Sequence, residues 1–432
     1  MWRVGYRLFL WLVFPWVLAR LWWRGRAEPG YREAIGERFG FYRERPAKPV
    51  IWLHAVSLGE TRAVEPLVRA LRARHPECEL LITQMTATGR EAAQQLFGKD
   101  ARIAWLPYDY PSAARRFLRH FRPRLGILME TEIWFNLVRE CAREGVPLVL
   151  ANARMSEKSA RGYVAVEPLV RASLAGIDAV GSQTAADAAR LHALGAQAVE
   201  VTGNLKFDAT PPPGTEELAA RLRGWFGQRR VFLAASTREG EEELLLDALE
   251  QNALGDALTL IVPRHPQRFD AVAQLLAGRG LKFARRSAGT PVPSDCDFVL
   301  GDSMGEMEAY YAACDVALVG GSLMAWGGQN LIEACAAGAP VLIGPHTYNF
   351  AQAAQSAIAA GAALRVRDAG EAVRQARALL QDPPLRSRMS QAGTAFCAAH
   401  RGATERTLAL CEQVLVSAPL SKGAEAPRRG DD

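Results

Sequence analysis

From about residue 50 onward, short apolar runs alternate with longer stretches whose apolar positions recur every three or four residues. Short runs bounded by turn residues predict strands buried on both faces, and the recurrent stretches predict amphipathic helices. The strands expected in the first half are Val50–Ala55, Glu79–Thr83, Arg102–Leu106, Leu125–Met129, Pro147–Ala151, Ala179–Gly181 and Val199–Thr202. Helices are expected between them, as at Thr61–Arg74 and Tyr110–Phe121. The alternation stops at Thr210-Pro211-Pro212-Pro213-Gly214, a stiff break. It restarts with Val231–Ala235, Leu258–Val262, Leu281–Ala284, Phe298–Leu300, Val316–Val319, Val341–Ile343 and Leu364–Val366. Two β/α series either side of a proline break predict two doubly wound parallel-sheet domains. Such sheets bind ligands at the carboxyl ends of their strands, so two facing domains imply a cleft.

Before residue 50 the pattern is different. Met1–Trp23 is the most apolar stretch, and its uncharged core, Leu8–Ala19, has only twelve residues. A perpendicular membrane span needs about 20. Arg3, Arg7 and Arg20 could snorkel to the interfaces, and Trp2, Trp11, Trp16, Trp22 and Trp23 suit the headgroup boundary. The expectation is an N-terminal membrane anchor over residues 1–26, either spanning or lying on the bilayer. A secretory signal and a buried helix are the alternatives, and Trp22-Trp23-Arg24 is a poor context for signal cleavage. Charge agrees with an anchor. The net charge is +6, and residues 1–48 hold ten Lys/Arg against four acids, so they carry all of it. A basic excess beside an apolar stretch points to a membrane surface and not to nucleic acid, with the globular part on the cytoplasmic side.

The 432 residues, 49% apolar and 23% charged, exclude a disordered chain, a coiled coil or a fibre and suit two domains. The expected division is an anchor at 1–26, a first Rossmann-like domain at 27–209, a linker at 210–216, a second Rossmann-like domain at 217–417 and a disordered polar tail at 418–432. The 7 cysteines stand singly, with no C-x-x-C and no H-x-x-x-H. That argues against a disulfide scaffold or a zinc module, so no metal site is expected.

Several strand ends carry candidate chemistry. His54-Ala55-Val56-Ser57-Leu58-Gly59-Glu60 has capping-box spacing, with Ser57 as cap and Glu60 returning to the Ser57 backbone N–H. Ser236–Glu239 and Ser303–Glu306 repeat that spacing, so it is unspecific alone. The functional reading of Glu60 is a carboxylate at the cleft mouth acting as general base. Glu130-Thr131-Glu132 follows the strand Leu125–Met129. On a strand these two carboxylates would point to opposite faces, so at most one joins Glu60 unless the strand has ended. Arg264 in Pro263-Arg264-His265-Pro266 could hold a phosphate or form a surface ion pair. Gly301-Asp302-Ser303-Met304-Gly305-Glu306-Met307 opens a helix whose free N–H groups could bind an anion, or is a plain glycine turn. The most informative stretch is Gly320–Ala334. There Gly327 and Gly328 would let backbone approach a phosphate, and Asn330 and Glu333 share a helix face within reach of a nucleotide. Neither a Walker loop nor a G-x-G-x-x-G after the first strand is present.

At these residues the chain resembles the bacterial 3-deoxy-D-manno-octulosonic acid (Kdo) transferases. The resemblance spans about residues 1–415. It rests on His54–Glu60, Thr86-Ala87-Thr88-Gly89, Glu130-Thr131-Glu132-Ile133-Trp134, Asn152-Ala153-Arg154, Gly203–Asp208, Pro263–Pro266, Gly301–Glu306 and Gly327–Glu333. It implies an α/β GT-B architecture, two doubly wound domains facing a cleft. The implied activity is inverting transfer of Kdo from CMP-Kdo to a tetraacylated lipid A precursor, in lipopolysaccharide synthesis at the inner membrane. It also implies Glu60 as catalytic base and Glu130 as a second essential acid. Arg264, His265, Met304, Gly305, Glu306, Gly328, Asn330 and Glu333 fall on the CMP side. Lys206 and Arg154 are candidates to hold the Kdo carboxylate, with Ser57 beside Glu60. No metal or cofactor is expected beyond the donor. Phe135 and Gln329 depart from the family's usual proline and histidine. The alternatives are another GT-B nucleotide-sugar enzyme, such as a UDP-sugar transferase or epimerase, and a non-enzymatic membrane adaptor.

Overall fold

A computed structural model describes residues 2–417, and the expected disordered tail lies outside the described residues. The chain divides into two units, one comprising Met1–Ala209 with Arg401 onward, the other Thr210–His400. The first is built on β1 (Val50–His54), β2 (Glu79–Gln84), β3 (Arg102–Trp105), β4 (Pro123–Met129), β5 (Leu148–Ala153), β6 (Ala179–Ser182) and β7 (Val199–Val201). They form one sheet in the order β3-β2-β1-β4-β5-β6-β7, with all pairs parallel.

Both faces of this sheet are covered, which is why its strands read as apolar runs. Val50 and Trp52 pack into one core, and Ile51 and Leu53, on the opposite face, into the other. Gly126 in β4 is required by this packing, since a Cβ there would lie 2.8 Å from the Trp52 ring.

The second unit repeats the scheme with β8 (Val231–Thr237), β9 (Leu258–Pro263), β10 (Phe283–Arg285), β11 (Phe298–Leu300), β12 (Val316–Val319), β13 (Val341–Ile343) and β14 (Ala363–Arg365). The order is β10-β11-β9-β8-β12-β13-β14, again all parallel. Phe232, Ala234, Ile261 and Leu318 meet Leu245, Leu249, Val373 and Ala376 from the flanking helices in its core. Every expected strand is present, with ends shifted by a residue or two. In each sheet the chain reverses its direction of growth beside a central strand, at β1/β4 and at β8/β12. Crevices at such reversals are where ligands bind in open α/β sheets.

Two expected boundaries are corrected. The helix Thr215–Phe226 takes in the last two residues of the expected linker, and Gly214, at φ +83°, is its N-cap. The C-terminal unit also ends earlier, because the helix Ala403–Ser417 returns to the first sheet. Leu408, Cys411 and Val414 bury there in the core on the face of the sheet that the helix shares with β4, β5 and β6. Asp208 fixes the return by accepting the backbone N–H of Gly402 at 2.7 Å and of Thr404 at 2.6 Å.

The N-terminal helix, Trp2–Ala27, contains Pro15. Among the described residues no helix is long and apolar enough to cross a membrane. One side of this helix docks on the first unit. The Tyr6 hydroxyl donates to Asp109 at 2.9 Å, the Tyr110 hydroxyl donates to the Leu10 carbonyl at 2.7 Å, and Tyr6 meets Phe135 edge to face. The other side leaves Leu8, Phe9, Leu12, Trp16 and Trp23 exposed, with Leu12 at 81%.

Candidate functional site

In the first unit the reversal at β1/β4 gathers charge. Glu60 lies in the first turn of the helix Leu58–Ala63, directly after β1. Ser57 caps that helix, accepting the Glu60 N–H at 3.4 Å. The Ser57 hydroxyl donates to one Glu60 carboxylate oxygen at 3.1 Å, and the Val56 N–H donates to the other at 2.8 Å. Capping box and candidate base are therefore one arrangement, with Glu60 returning to Val56 and not to Ser57. Burial pushes the Glu60 carboxyl up to about 7, and nearby Glu130 adds to the rise against the opposing pull of Val56 N–H, Ser57 and Lys206.

Glu130 ends β4 in the left-handed region, at φ +56°. Lys206 Nζ lies 3.5 Å from its carboxylate. The turn at Glu130 breaks the strand alternation: Glu132 N–H bonds back to the Met129 carbonyl at 3.3 Å, and Ile133 N–H to Thr131 at 2.9 Å. Glu132 therefore also comes under the influence of Glu60. Its carboxyl is pushed up to about 7, by burial first and by Glu60 second. The strand has ended, so the limit of one carboxylate drawn from alternation does not apply, and Glu132 is a group that sequence reasoning passed over. The polar run Glu130–Glu132 after five apolar residues was the available signal.

Asn152, also left-handed at φ +53°, sets Lys206 in place. Its side chain accepts the Leu205 N–H at 3.1 Å, and Asn204 accepts that of Lys206 at 3.0 Å. Arg154 sits just past β5, half-buried. His54 is fully buried with Nδ1 against Thr83, and burial lowers it to about 4, so it stays neutral.

In the second unit the candidate residues lie at the carboxyl ends of β9, β11 and β12. Arg264 follows β9, its N–H bonded to the Thr237 carbonyl at 2.9 Å. Its Nε donates to Gln329 Oε1 at 3.3 Å, so the glutamine that departs from the family pattern still makes a hydrogen bond toward this site. His265 is exposed and held below its usual range, by desolvation first and then by Arg238, Arg264 and Arg268. Met304 and Gly305 are exposed, and Glu306 pairs with Arg286 at 2.9 Å. Gly328, at φ +78°, bonds back to the Gly321 carbonyl at 2.6 Å, a conformation that favours glycine. Asn330 caps the next helix, and its Nδ2 donates to Glu333 at 2.9 Å, so the two do share a face.

Three expectations change here. Ser236–Glu239 is not a capping box, because Ser236 lies within β8 and the helix begins at Glu241 after Gly240. Ser303 does bond the Glu306 carboxylate, but Glu306 itself is the N-cap of Met307–Ala313. The helices after Glu306 and Asn330 have seven and six residues, too short for a strong end charge. Sequence reasoning also missed Glu241. Its buried carboxylate accepts the N–H groups of Gly321 at 2.6 Å, Leu323 at 2.9 Å and Arg238 at 2.9 Å, fastening the glycine loop to the end of β8. These partners lie about 80 residues apart in the chain, a separation no local pattern exposes. Among the described residues no group of three or more His, Cys, Asp or Glu could hold a metal.

Residues 33–209 match the family model of 3-deoxy-D-manno-octulosonic-acid transferase (kdotransferase), and residues 264–396 match that of glycosyl transferases group 1. A curated 3-deoxy-D-manno-octulosonic acid transferase from Bordetella pertussis is 47% identical, over 96% of this chain and 99% of its own. The chain belongs to the Kdo transferase family. The Haemophilus influenzae transferase is 35% identical over the same shares. Among solved structures, UDP-GlcNAc 2-epimerase from Neisseria meningitidis bound to UDP-GlcNAc has a TM-score of 0.58 at 16% identity, covering 85% of this chain and all of that one. That likeness shows the fold alone, the two-Rossmann GT-B type. This Kdo transferase is thus a GT-B glycosyltransferase, as its strand pattern and motifs led us to expect.

Proposed function

We propose that this enzyme transfers Kdo from CMP-Kdo to a tetraacylated lipid A precursor, with inversion at the anomeric carbon and Glu60 as general base. The observation that carries the reading is the Glu60 carboxyl at the β1/β4 reversal, half-buried, raised to about 7 and beside the Glu130–Lys206 pair. A base of that strength is half ionised at neutral pH and strong enough to take a hydroxyl proton as it is released. In the step, the acceptor oxygen forms its bond to the anomeric carbon while the carbon–oxygen bond to phosphate breaks. The hydroxyl proton goes to Glu60, and CMP leaves with the bonding pair. On the donor side Arg264, with His265, Gly328, Asn330, Glu333 and the loop Met304–Glu306, is assigned to CMP. Glu130 would hold Lys206 where its charge offsets charge developing at the reaction centre. The reading assigns charge compensation to these cations and invokes no resident metal or cofactor.

The acceptor is lipid-borne, and we place the enzyme on the cytoplasmic side of the inner membrane. The N-terminal helix supports attachment in the plane of the bilayer: one side is docked and the other presents Leu12, Trp16 and Trp23. A groove of about 470 Å³ lined by Phe41, Arg45, Arg115, Arg116, Arg119 and His120 adds positive charge for anionic lipid. Part of that charge is already paired, Arg115 with Glu140 at 3.0 Å and Arg119 with Glu144 at 3.1 Å.

The test is the mass spectrum of the tetraacylated precursor after incubation with detergent-purified protein and freshly generated CMP-Kdo. Added Kdo masses support the reading and count the additions. An unchanged precursor with folded protein contradicts it.

A further inference from the structure

The donor reading leaves one charge without a partner. A sugar-acid nucleotide carries a phosphate and a carboxylate, and Arg264 is assigned to the phosphate. Of the two candidates for the carboxylate drawn from the sequence, Lys206 is already paired with Glu130, and Arg154 lies past β5 in the first unit, whereas Arg264 belongs to the second.

The second unit holds three arginines around His265, namely Arg238, Arg264 and Arg268. Arg268 is paired with buried Glu242 at 3.0 Å. Arg238 makes no ion pair with a carboxylate among the described residues. Its guanidinium instead lies over the ring of Trp326, 4.4 Å from the centroid. Trp326 is 39% exposed at the tip of the glycine loop, and Arg238 is half-buried immediately after β8. That is the strand at the β8/β12 reversal, paired with β9, which Arg264 directly follows. A Cβ on Gly321 would lie 3.6 Å from Arg238 Cγ and 3.0 Å from the Gln329 amide, so Arg238 borders the same loop that Gln329 joins to Arg264.

The geometry is built, not incidental. One Glu241 oxygen accepts the backbone N–H of both Arg238 and Gly321, and the other accepts that of Leu323. A single buried carboxylate therefore fixes the residue bearing the guanidinium to the loop bearing the ring. A guanidinium seated over an indole ring pairs no N–H group with a carboxylate, and its planar fork of N–H groups matches a carboxylate with two parallel hydrogen bonds.

We propose that Arg238, seated on Trp326, is a specificity-determining residue that binds the carboxylate of the donor's sugar acid, separately from the hold of Arg264 on the phosphate. This rests on the donor assignment above. A nucleotide sugar lacking the carboxylate would leave the fork empty, so Arg238 selects for an acidic sugar.

Two measurements on the full-length enzyme separate the roles: the KM for freshly generated CMP-Kdo, and the Kd for CMP, which lacks the sugar. Arg238→Gln raises the donor KM by about 10- to 100-fold and leaves the CMP Kd within about twofold. Arg238→Lys recovers part of the loss because the charge remains, and Trp326→Ala falls between. Arg264→Gln weakens CMP and donor together. If Arg238→Gln weakens CMP as much as the donor, or changes neither, the assignment is overturned. Arg238 has no ion pair for folding to lose, and Trp326→Ala tests the platform independently. Wild-type enzyme that neither transfers nor binds CMP contradicts the proposed function itself. Wild type that does both, with Arg238→Gln unchanged, contradicts only the role of Arg238.

Discussion

Glu60 and Glu132 each sit at about 7, raised first by burial, and the Glu60 charge adds to the rise at Glu132. In its proposed role as base Glu60 must be ionised, so kcat/KM is expected to rise with pH through about 7. Burial and then Glu130 oppose ionisation of Glu60, while the Val56 N–H, Ser57 and Lys206 favour it; since Glu60 raises Glu132, Coulomb repulsion acts back on Glu60 as well. Glu132→Gln removes one like charge, and the acid limb moves down by roughly 0.5–1 unit in a pH–rate profile. An unmoved limb would separate Glu132 from Glu60. The same shift has a stability consequence. Between the usual carboxyl value of 4.5 and about 7 the folded state binds more protons than the unfolded state, so stability falls as pH rises through that window. Glu60→Gln is therefore expected to melt higher than wild type at pH 8, by on the order of 2 kcal/mol, with the gap closing toward pH 4.5. At this scale the sequence was informative where a residue acts within its own turn. Ser57 with Glu60, and Asn330 with Glu333, could be read from spacing. Whether Glu132 joins Glu60 depended on where the strand ends, and spacing alone does not show that Glu130 is left-handed and ends the alternation. Arg238 and Glu241 stayed hidden because their partners come from a strand end far along the chain.

Strands were the most legible elements. In a parallel sheet covered on both faces every position is apolar, so a run such as Leu125–Met129 needs no alternation to be seen. Helix starts were less legible. Of three S-x-x-E spacings only Ser57–Glu60 has its serine at the N-cap, because the backbone decides whether a helix begins at the serine, and Ser236 is still in its strand. The N-terminal helix was legible as apolar and basic, but its docked side was not, since Tyr6 and Leu10 meet residues about 100 positions away. Its exposed stripe carries a clear expectation. Leu12→Asp with Trp16→Asp should abolish co-sedimentation with vesicles containing anionic lipid while leaving the melting temperature within a few degrees. Unchanged co-sedimentation would remove the helix as the membrane contact.

Across the whole molecule, the proline break and the restart of the β/α pattern marked two domains, and both reversal points follow from strand order. What could not be read was the return of Ala403–Ser417 to the first unit, because its amphipathic pattern fits either sheet. The cue lay in Gly203–Asp208, where Asp208 serves the backbone of a helix start 194 residues later. Asp208→Ala should cost about 1–2 kcal/mol in denaturant unfolding, the usual penalty for losing an N-terminal cap. It should also speed proteolysis at residues 400–417. Loss of neither would mean that the apolar contacts of Leu408 and Cys411 alone hold the helix.

The central claim is that a Kdo transferase of this family uses Glu60 to take the acceptor's proton. Single-turnover transfer at saturating donor and acceptor, comparing wild type with Glu60→Gln, tests it most directly. The rate is expected to fall by about 10²–10⁴-fold with the CMP Kd unchanged, because only the proton acceptor has been removed. Transfer by Glu60→Gln within a few-fold of wild type would contradict it.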